Sequence, residues 1–266
     1  MRIAIVAPSC ALKREAADRV AAIAEARGDC EVAIHPQCFL SDGHFAGPDE
    51  ARLAALREVM ADPSVEAVWF ARGGYGSNRI AEAAAGDLPE AAGNKTYMGY
   101  SDSGFLHAAF HNARLSVAWG PMPQDVLRDG GEEAIQRALD WLVRRDRAAL
   151  EPGLDGPAMA FNLTVLAMLA GTPLEPDLTG RELLIEEVSE HLYEIDRLMF
   201  RLVASDNVRK VRQIRLGRVS DIPENDPVFG HDEETIVSHW CERAGIPFGG
   251  RADIGHDAGN RVVPFA

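Results

Sequence analysis

The sequence predicts a two-part α/β protein built on a parallel sheet with helices on both of its faces. Three observations carry that expectation. Strand-length runs such as Arg2 to Ala7 and Val65 to Phe70 are apolar with little alternation, they take turns with helical patterns, and the Pro- and Gly-rich segment from Leu150 to Pro157 interrupts the chain. The first run stops at Pro8-Ser9 and is followed by alanines and valines at helical spacing from Leu12 to Arg27, with Gly28 placed to close the helix. Cys30 to His35 resumes a strand pattern before a polar loop through Pro48, a helix over Ala51 to Ala61, and a stop at Asp62-Pro63. Val65 to Phe70 then runs into the glycine turn Arg72-Gly73-Gly74-Tyr75-Gly76. Beyond it lie a helix from Asn78 to Ala85, a strand from Thr96 to Tyr100, a helix from Phe105 to Asn112 and an amphipathic helix from Glu132 to Arg147. A boundary near Glu151 leaves residues 1–150 as one domain and 151–266 as a smaller α/β domain. The second domain should hold helices over Asn162 to Ala170, Leu192 to Ala204 and Glu234 to Ala244, strands over Leu183 to Val188 and Gln213 to Val219, and short β segments around Ile254 and Val262.

Composition narrows the partners. Hydrophobic residues at 47% and charged residues at 26% suit a globular chain, while 27 basic against 41 acidic residues leave a net charge of −14. That field repels phosphate backbones and anionic lipid, so neither nucleic acid nor a membrane surface is expected as a partner. Cys10, Cys30, Cys38 and Cys241 show no CxxC spacing, which argues against zinc and disulfide frameworks and fits a reducing compartment. The apolar run at the N-terminus is too short for a signal peptide, and no stretch approaches the roughly 18 apolar residues of a membrane span, so a soluble cytoplasmic chain is expected.

Parallel sheets of this kind place ligands at the carboxyl ends of their strands, where both the Gly73 turn and Ser101 fall. Gly99-Tyr100-Ser101-Asp102-Ser103 puts a serine on a strand-to-helix turn, but it only half meets the G-x-S-x-G elbow because the second glycine arrives at Gly104. Read alone, it is a turn leading into a helix capped by Asp or Ser. The glycine turn offers unobstructed backbone N–H groups suited to an anion, yet lacks the Lys-Ser/Thr of a P-loop and the dinucleotide G-x-G-x-x-G spacing. At the end of the strand over Leu183 to Ile185, alternation sends Glu186 and Glu187 to opposite faces, so only one of them should enter a shared cleft. His256, in the glycine-rich stretch Ile254 to Gly259, is free of helical constraint; by itself it reads as a surface histidine. His107 and His111 lie one helical turn apart but lack the glutamate of H-E-x-x-H and read as a structural pair. Trp69, Trp119, Met159, Met168 and Met199 read as core.

In combination and order, these segments resemble the LD-carboxypeptidase family, the S66 serine peptidases. The segments are Ala71 to Gly76, Gly99-Tyr100-Ser101-Asp102, Gly120-Pro121-Met122, Asn162-Leu163, Gly171-Thr172-Pro173, Ile185 to Glu190 with Tyr193, Asp196 and Arg197, and Gly255-His256. The resemblance implies a flavodoxin-like N-terminal domain and a Ser–Glu–His triad at Ser101, Glu186 and His256. It also implies an oxyanion hole at the backbone N–H groups of Gly74 and Asp102, a murein tetrapeptide substrate cleaved in the cytoplasm during cell-wall recycling, and a homodimer. Gly104 replaces the usual Thr, Met159-Ala160-Phe161 replaces a glycine-rich approach, and Leu192 stands where proline is common; these departures bear on substrate detail.

On this reading His256 takes the proton of Ser101, Glu186 orients the ring, and Arg72 is the candidate anchor for the substrate carboxylate; no metal or other cofactor is expected. Two alternatives stand beside it. One is the immunity-type hydrolase of aminoacyl-nucleotides from the same superfamily, and the other is a non-catalytic muropeptide-binding protein.

Overall fold

The computed structural model describes residues Met1 to Ala266 and shows two sheets with helices. In the N-terminal part the order is β1 (Arg2–Val6), α1 (Arg14–Arg27), β2 (Glu31–Ile34), α2 (Asp49–Ala61), β3 (Ala67–Phe70), α3 (Asn78–Gly86), β4 (Thr96–Gly99), α4 (Gly104–Asn112), β5 (Ser116–Trp119) and α5 (Gly131–Arg144). Then follow β6 (Ala158–Asn162), α6 (Leu163–Leu169), β7 (Glu182–Val188), α7 (Leu192–Val203), β8 (Gln213–Ser220), α8 (Glu233–Ala244), β9 (Phe248–Arg251) and β10 (Val263–Pro264).

The first sheet has the order β10-β5-β4-β3-β1-β2 and is parallel except for β10. Its double covering follows from the side chains. Ile3, Ile5, Trp69 and Met98 pack against α1 and α5, whereas their neighbours Ala4, Val6, Val68, Phe70 and Tyr97 pack against α2, α3 and α4. Gly28, at φ +67°, closes α1 in the left-handed conformation and returns its N–H to the carbonyl of Ala24.

The second sheet, β6-β7-β8-β9, is wholly parallel and carries α6, α7 and α8 on the face formed by Met159, Phe161, Leu183, Ile185, Ile214 and Leu216. Its other face, through Ala158, Ala160 and Leu184, joins the same apolar cluster as Val6, Phe70 and Trp119. The two sheets therefore share a core. The chain end adds to this union, since Val263 pairs antiparallel with Trp119 of β5.

Several elements differ from the sequence expectation. The sequence reading contained neither β5 nor β6. Ile254 lies in a loop, the nearby strand being Phe248–Arg251, and the segment around Val262 supplies β10 to the first sheet. Met168 is 56% exposed, because α6 packs through Leu163, Val165, Leu166 and Leu169 and turns Met168 outward.

Leu184 is fully buried in the cluster that spans both sheets. Leu184→Ala should cost about 2–5 kcal/mol by denaturant titration, with both sheets lost in one transition; two separated transitions would show that the sheets do not share a cooperative core.

Candidate active site

The site begins where β4 ends. Ser101 follows it with φ +60°, a left-handed conformation that non-glycine residues rarely adopt and that holds the side chain on a sharp elbow before α4. Neither Asp102 nor Ser103 caps α4 through its side chain, so the capped-turn reading of this segment is corrected. Gly104 is required by close packing: a Cβ there would lie 2.8 Å from Val165 Cγ1 and 3.3 Å from Phe161 Cδ1. The glycine thus lets α4 press against the second half of the chain.

Two residues remote in sequence meet the serine. His256 Nε2 lies 2.9 Å from Ser101 Oγ across 155 positions, and His256 Nδ1 lies 2.6 Å from Glu186 Oε2 across 70. Glu186 stands in β7 at a register shift against β8, fully buried, with Gly217 of β8 beside it. The histidine loop is held from several sides. The Gly255 amide donates to Asn260 Oδ1 at 3.2 Å, Trp119 Nε1 donates to the same oxygen at 2.8 Å, Arg218 pairs with Asp257, and the Tyr100 ring meets the imidazole edge-on at 4.9 Å. His256 is thus a packed side chain only 10% exposed, which replaces the surface reading of it.

Burial pulls the His256 ring toward neutrality, but the charge and hydrogen bond of Glu186 outweigh it and leave the imidazole raised above its ordinary 6.5. Glu186 has no second partner for its Oε1. Burial there pushes the Glu186 carboxyl above its ordinary value, and the charge and hydrogen bond of the facing imidazole offset that only in part.

Two cavities meet at Ser101. One, of about 440 Å³, is lined by Arg72, Gly73, Gly74, Tyr100, Arg128 and His256 among others. The second, of about 610 Å³, includes Tyr75, Phe105, Met168, Glu82, Glu187 and Glu190; Ser101, Gly74 and Val188 belong to both. Gly74 has φ +102°, a Cβ there would collide with Cys10 Sγ, and its amide has no acceptor within the protein. The turn bonds from Ser103 N to Tyr100 O and from Gly104 N to Ser101 O pass over the Asp102 amide. Arg72 reaches only the Ala11 carbonyl, at 3.4 Å, and takes part in no ion pair. Arg128 shares its cavity but is paired with Asp125 at 3.0 Å.

Glu186 and Glu187 point to opposite faces of β7, as alternation predicts: Glu186 turns to the histidine, Glu187 turns toward α6 and lines the larger cavity, and both are buried. Glu187 caps α6, accepting from Thr164 N at 2.8 Å, Thr164 Oγ1 at 2.7 Å and Asn162 Nδ2 at 2.7 Å. Burial, a hydrogen bond with Glu194 and the charges of Glu187 and Glu194 push the Glu190 carboxyl up to about 7. His107 is fully buried, stacked on Phe70 with Phe265 at its edge, and burial alone holds its ring down to about 3. Arg128, Glu82 and Glu190 were not singled out by sequence reasoning as site residues. Arg128 lies outside the glycine and serine motifs, and nothing in its spacing marks it.

Models of the LD-carboxypeptidase N-terminal and C-terminal domains match residues 3–120 and 155–266. The chain belongs to the LD-carboxypeptidase family. Membership places it among the hydrolases. It is 28% identical to the murein tetrapeptide carboxypeptidase of Pseudomonas aeruginosa over 99% of this chain and 91% of the relative. The crystal structure of muramoyltetrapeptide carboxypeptidase from Oxalobacter formigenes superposes with a TM-score of 0.82 at 25% identity, covering 99% of this chain and 92% of that one. The microcin C7 self-immunity protein MccF in complex with aspartyl sulfamoyl adenosine superposes with a TM-score of 0.80 at 17% identity, covering 100% and 91%, and shares the fold.

The Glu186–His256 contact has a measurable signature. NMR titration should place the His256 imidazole above 6.5, and Glu186→Gln should bring it below, because burial then acts without the opposing charge. The neutral ring of the native protein is therefore lost first as pH falls. An imidazole unmoved by the substitution would dissolve the pairing.

Proposed function

We propose that the chain is a serine-type LD-carboxypeptidase that releases the terminal D-alanine of murein tetrapeptides. The observation that carries this reading is the continuous hydrogen-bonded path from the Ser101 hydroxyl through His256 to buried Glu186, opening on two cavities. The names of the Pseudomonas and Oxalobacter proteins support the choice of substrate.

In this mechanism His256 Nε2 accepts the Ser101 proton as Oγ attacks the carbonyl that precedes D-alanine. Glu186 holds the Nδ1 proton and stabilises the imidazolium. The amides of Gly74 and Asp102 receive the developing oxyanion, a contribution of about 3–4 kcal/mol for one well-placed donor. Collapse of the tetrahedral intermediate breaks the C–N bond, and His256 returns the proton to the departing amine. Water, activated by the same imidazole, then hydrolyses the acyl-serine. Arg72, which has no acidic partner in the cavity it shares with His256, binds the substrate carboxylate.

The division of labour falls near Glu151: residues 1–150 supply the nucleophile and oxyanion donors, and residues 151–266 supply Glu186 and His256. We assign the action to the cytoplasm and to a homodimer. The first assignment is supported by four free cysteines and by helices none of which is long and apolar enough to cross a membrane; the second rests on the family resemblance.

Ser101→Ala should lower D-alanine release from tetrapeptide by about 10³-fold or more while leaving thermal unfolding nearly unchanged, followed by mass measurement of the product. Turnover that survives removes Ser101 from the nucleophile role. Preferential cleavage of an aminoacyl-sulfamoyl adenylate would instead select the immunity-type reaction. Arg72→Ala should raise KM for tetrapeptide by about 10-fold or more, as expected for losing one charge-assisted hydrogen bond.

A further inference from the structure

The residue after the nucleophile carries a carboxylate that the relay does not use. Asp102 is 4% exposed and lies beneath the elbow, where its Oδ2 accepts from the Ser9 hydroxyl and from the Ser77 amide at 2.8 Å. The Ser77 hydroxyl donates in turn to the Asp102 carbonyl. Ser9 and Ser77 are themselves fully buried. The three residues come from three different turns, those after β1, β3 and β4, so one side chain ties together the carboxyl ends of three adjacent parallel strands.

The middle turn is the glycine loop. Gly74 and Gly76 have φ +102° and +129°, the loop has no regular structure of its own, and a glycine-rich backbone has more freedom to lose than any other. The position of its amides must therefore be imposed from outside. One end is tied by the Cys10 amide, which donates to the Gly73 carbonyl at 3.4 Å; the other end, at Ser77, is tied to Asp102. Fully buried Arg52 reinforces the same assembly by donating to the carbonyls of Pro8 and, at 2.8 Å, Gly76. Burying a carboxylate here is costly without partners, and simple packing would be served by an apolar residue.

We infer that the Asp102 side chain is a positioning residue that holds the Gly74 loop in register with Ser101 and so sets the geometry of the oxyanion donors. The inference rests on the proposed serine mechanism and concerns the carboxylate, a part separate from the Asp102 amide.

The test compares Asp102→Ala, Asp102→Asn and Ser9→Ala in the full chain, using tetrapeptide turnover and, in parallel, the rate of Ser101 labelling by a fluorophosphonate. Asp102→Ala should lower kcat by about 10–100-fold with KM within about 2-fold and the acidic limb of the pH profile unmoved, because His256 and Glu186 are untouched. Asp102→Asn, which keeps an acceptor oxygen for both donors, should stay within about 3-fold of wild type. Ser9 lines neither cavity, and Ser9→Ala should lower kcat by about 3–10-fold; it decides the matter where Asp102→Ala does not fold. The inference is overturned if folded Asp102→Ala, or Ser9→Ala in its place, matches wild type, or if Asp102→Asn is as slow as Asp102→Ala. A wild type labelled on Ser101 but inert toward tetrapeptide defeats the substrate reading alone, and the labelling rates of the variants then decide this inference. A wild type that shows neither property defeats both.

Discussion

The buried contact between Glu186 and His256 constrains more of this structure than any other single interaction. A carboxylate removed from water needs a partner, and an imidazole at 2.6 Å supplies one; deleting either member of such a pair strands the other at a cost of about 3–5 kcal/mol. The pair also joins distant parts of the fold. Glu186 belongs to β7 of the second sheet, His256 to the loop that follows β9, and the imidazole faces a serine at the end of β4 in the first sheet. The site exists only where the two sheets are docked. That docking is apolar: Ala158, Ala160, Leu184, Ala252 and Ile254 sit in one cluster with Val6, Phe70 and Trp119.

On the first sheet the corresponding constraint is conformational. Ser101 at φ +60° is held in a region non-glycine residues rarely adopt, and such geometry persists only where the surroundings over-determine it, while Gly74 at φ +102° takes a conformation open to glycine and must be fixed there by its neighbours. The surroundings here are the hydrogen bonds of Asp102, Ser9, Ser77 and Arg52, together with the tight seat of Gly104 against Val165. Rigid strand ends thus carry the strain of the elbow, and the cavities open above a base tied together by these bonds.

The parts legible in the sequence were those written in long local patterns. The β1 to α1 unit, the strand over β3 with its glycine turn, α5, α7 and α8 all follow from runs of suitable length and period. β5 and β6 escaped because Ser-Val-Ala-Trp and Ala-Met-Ala-Phe-Asn are short, and β6 is without a β-branched residue; what makes them strands is their pairing, β5 with β4 and β10 and β6 with β7. β10 is a pairing of two residues with a strand remote in sequence, which no local pattern encodes. Glu186 and Glu187 kept their alternation because the irregularity at that point falls in β8: Ile185 pairs with Leu216 and Glu187 with Val219, so the extra residue is on the neighbouring strand. Ser101, Glu186 and His256 were singled out only through motif order across the chain. Singly, each had a blander explanation; Glu190 lay inside the Ile185 to Glu190 segment with no role attached to it, and Arg128 had no signal at all.

Charge gives the site its direction. A chain of net charge −14 opposes the approach of any carboxylate, but exposed charges beyond about 8 Å are largely screened at physiological salt, so what an anion meets at the mouth is local. The local inventory differs on the two sides of Ser101. The cavity shared with His256 holds Arg72 and Arg128 against Asp125 alone, and Asp125 is already committed to Arg128 and to the Tyr100 hydroxyl. The other cavity holds Glu82, Glu187 and Glu190, with no basic residue in its lining. A substrate whose reacting carbonyl sits at Ser101 can therefore place a terminal carboxylate favourably on one side only, and that polarity follows from the placement of a few side chains around a serine, independent of the overall charge.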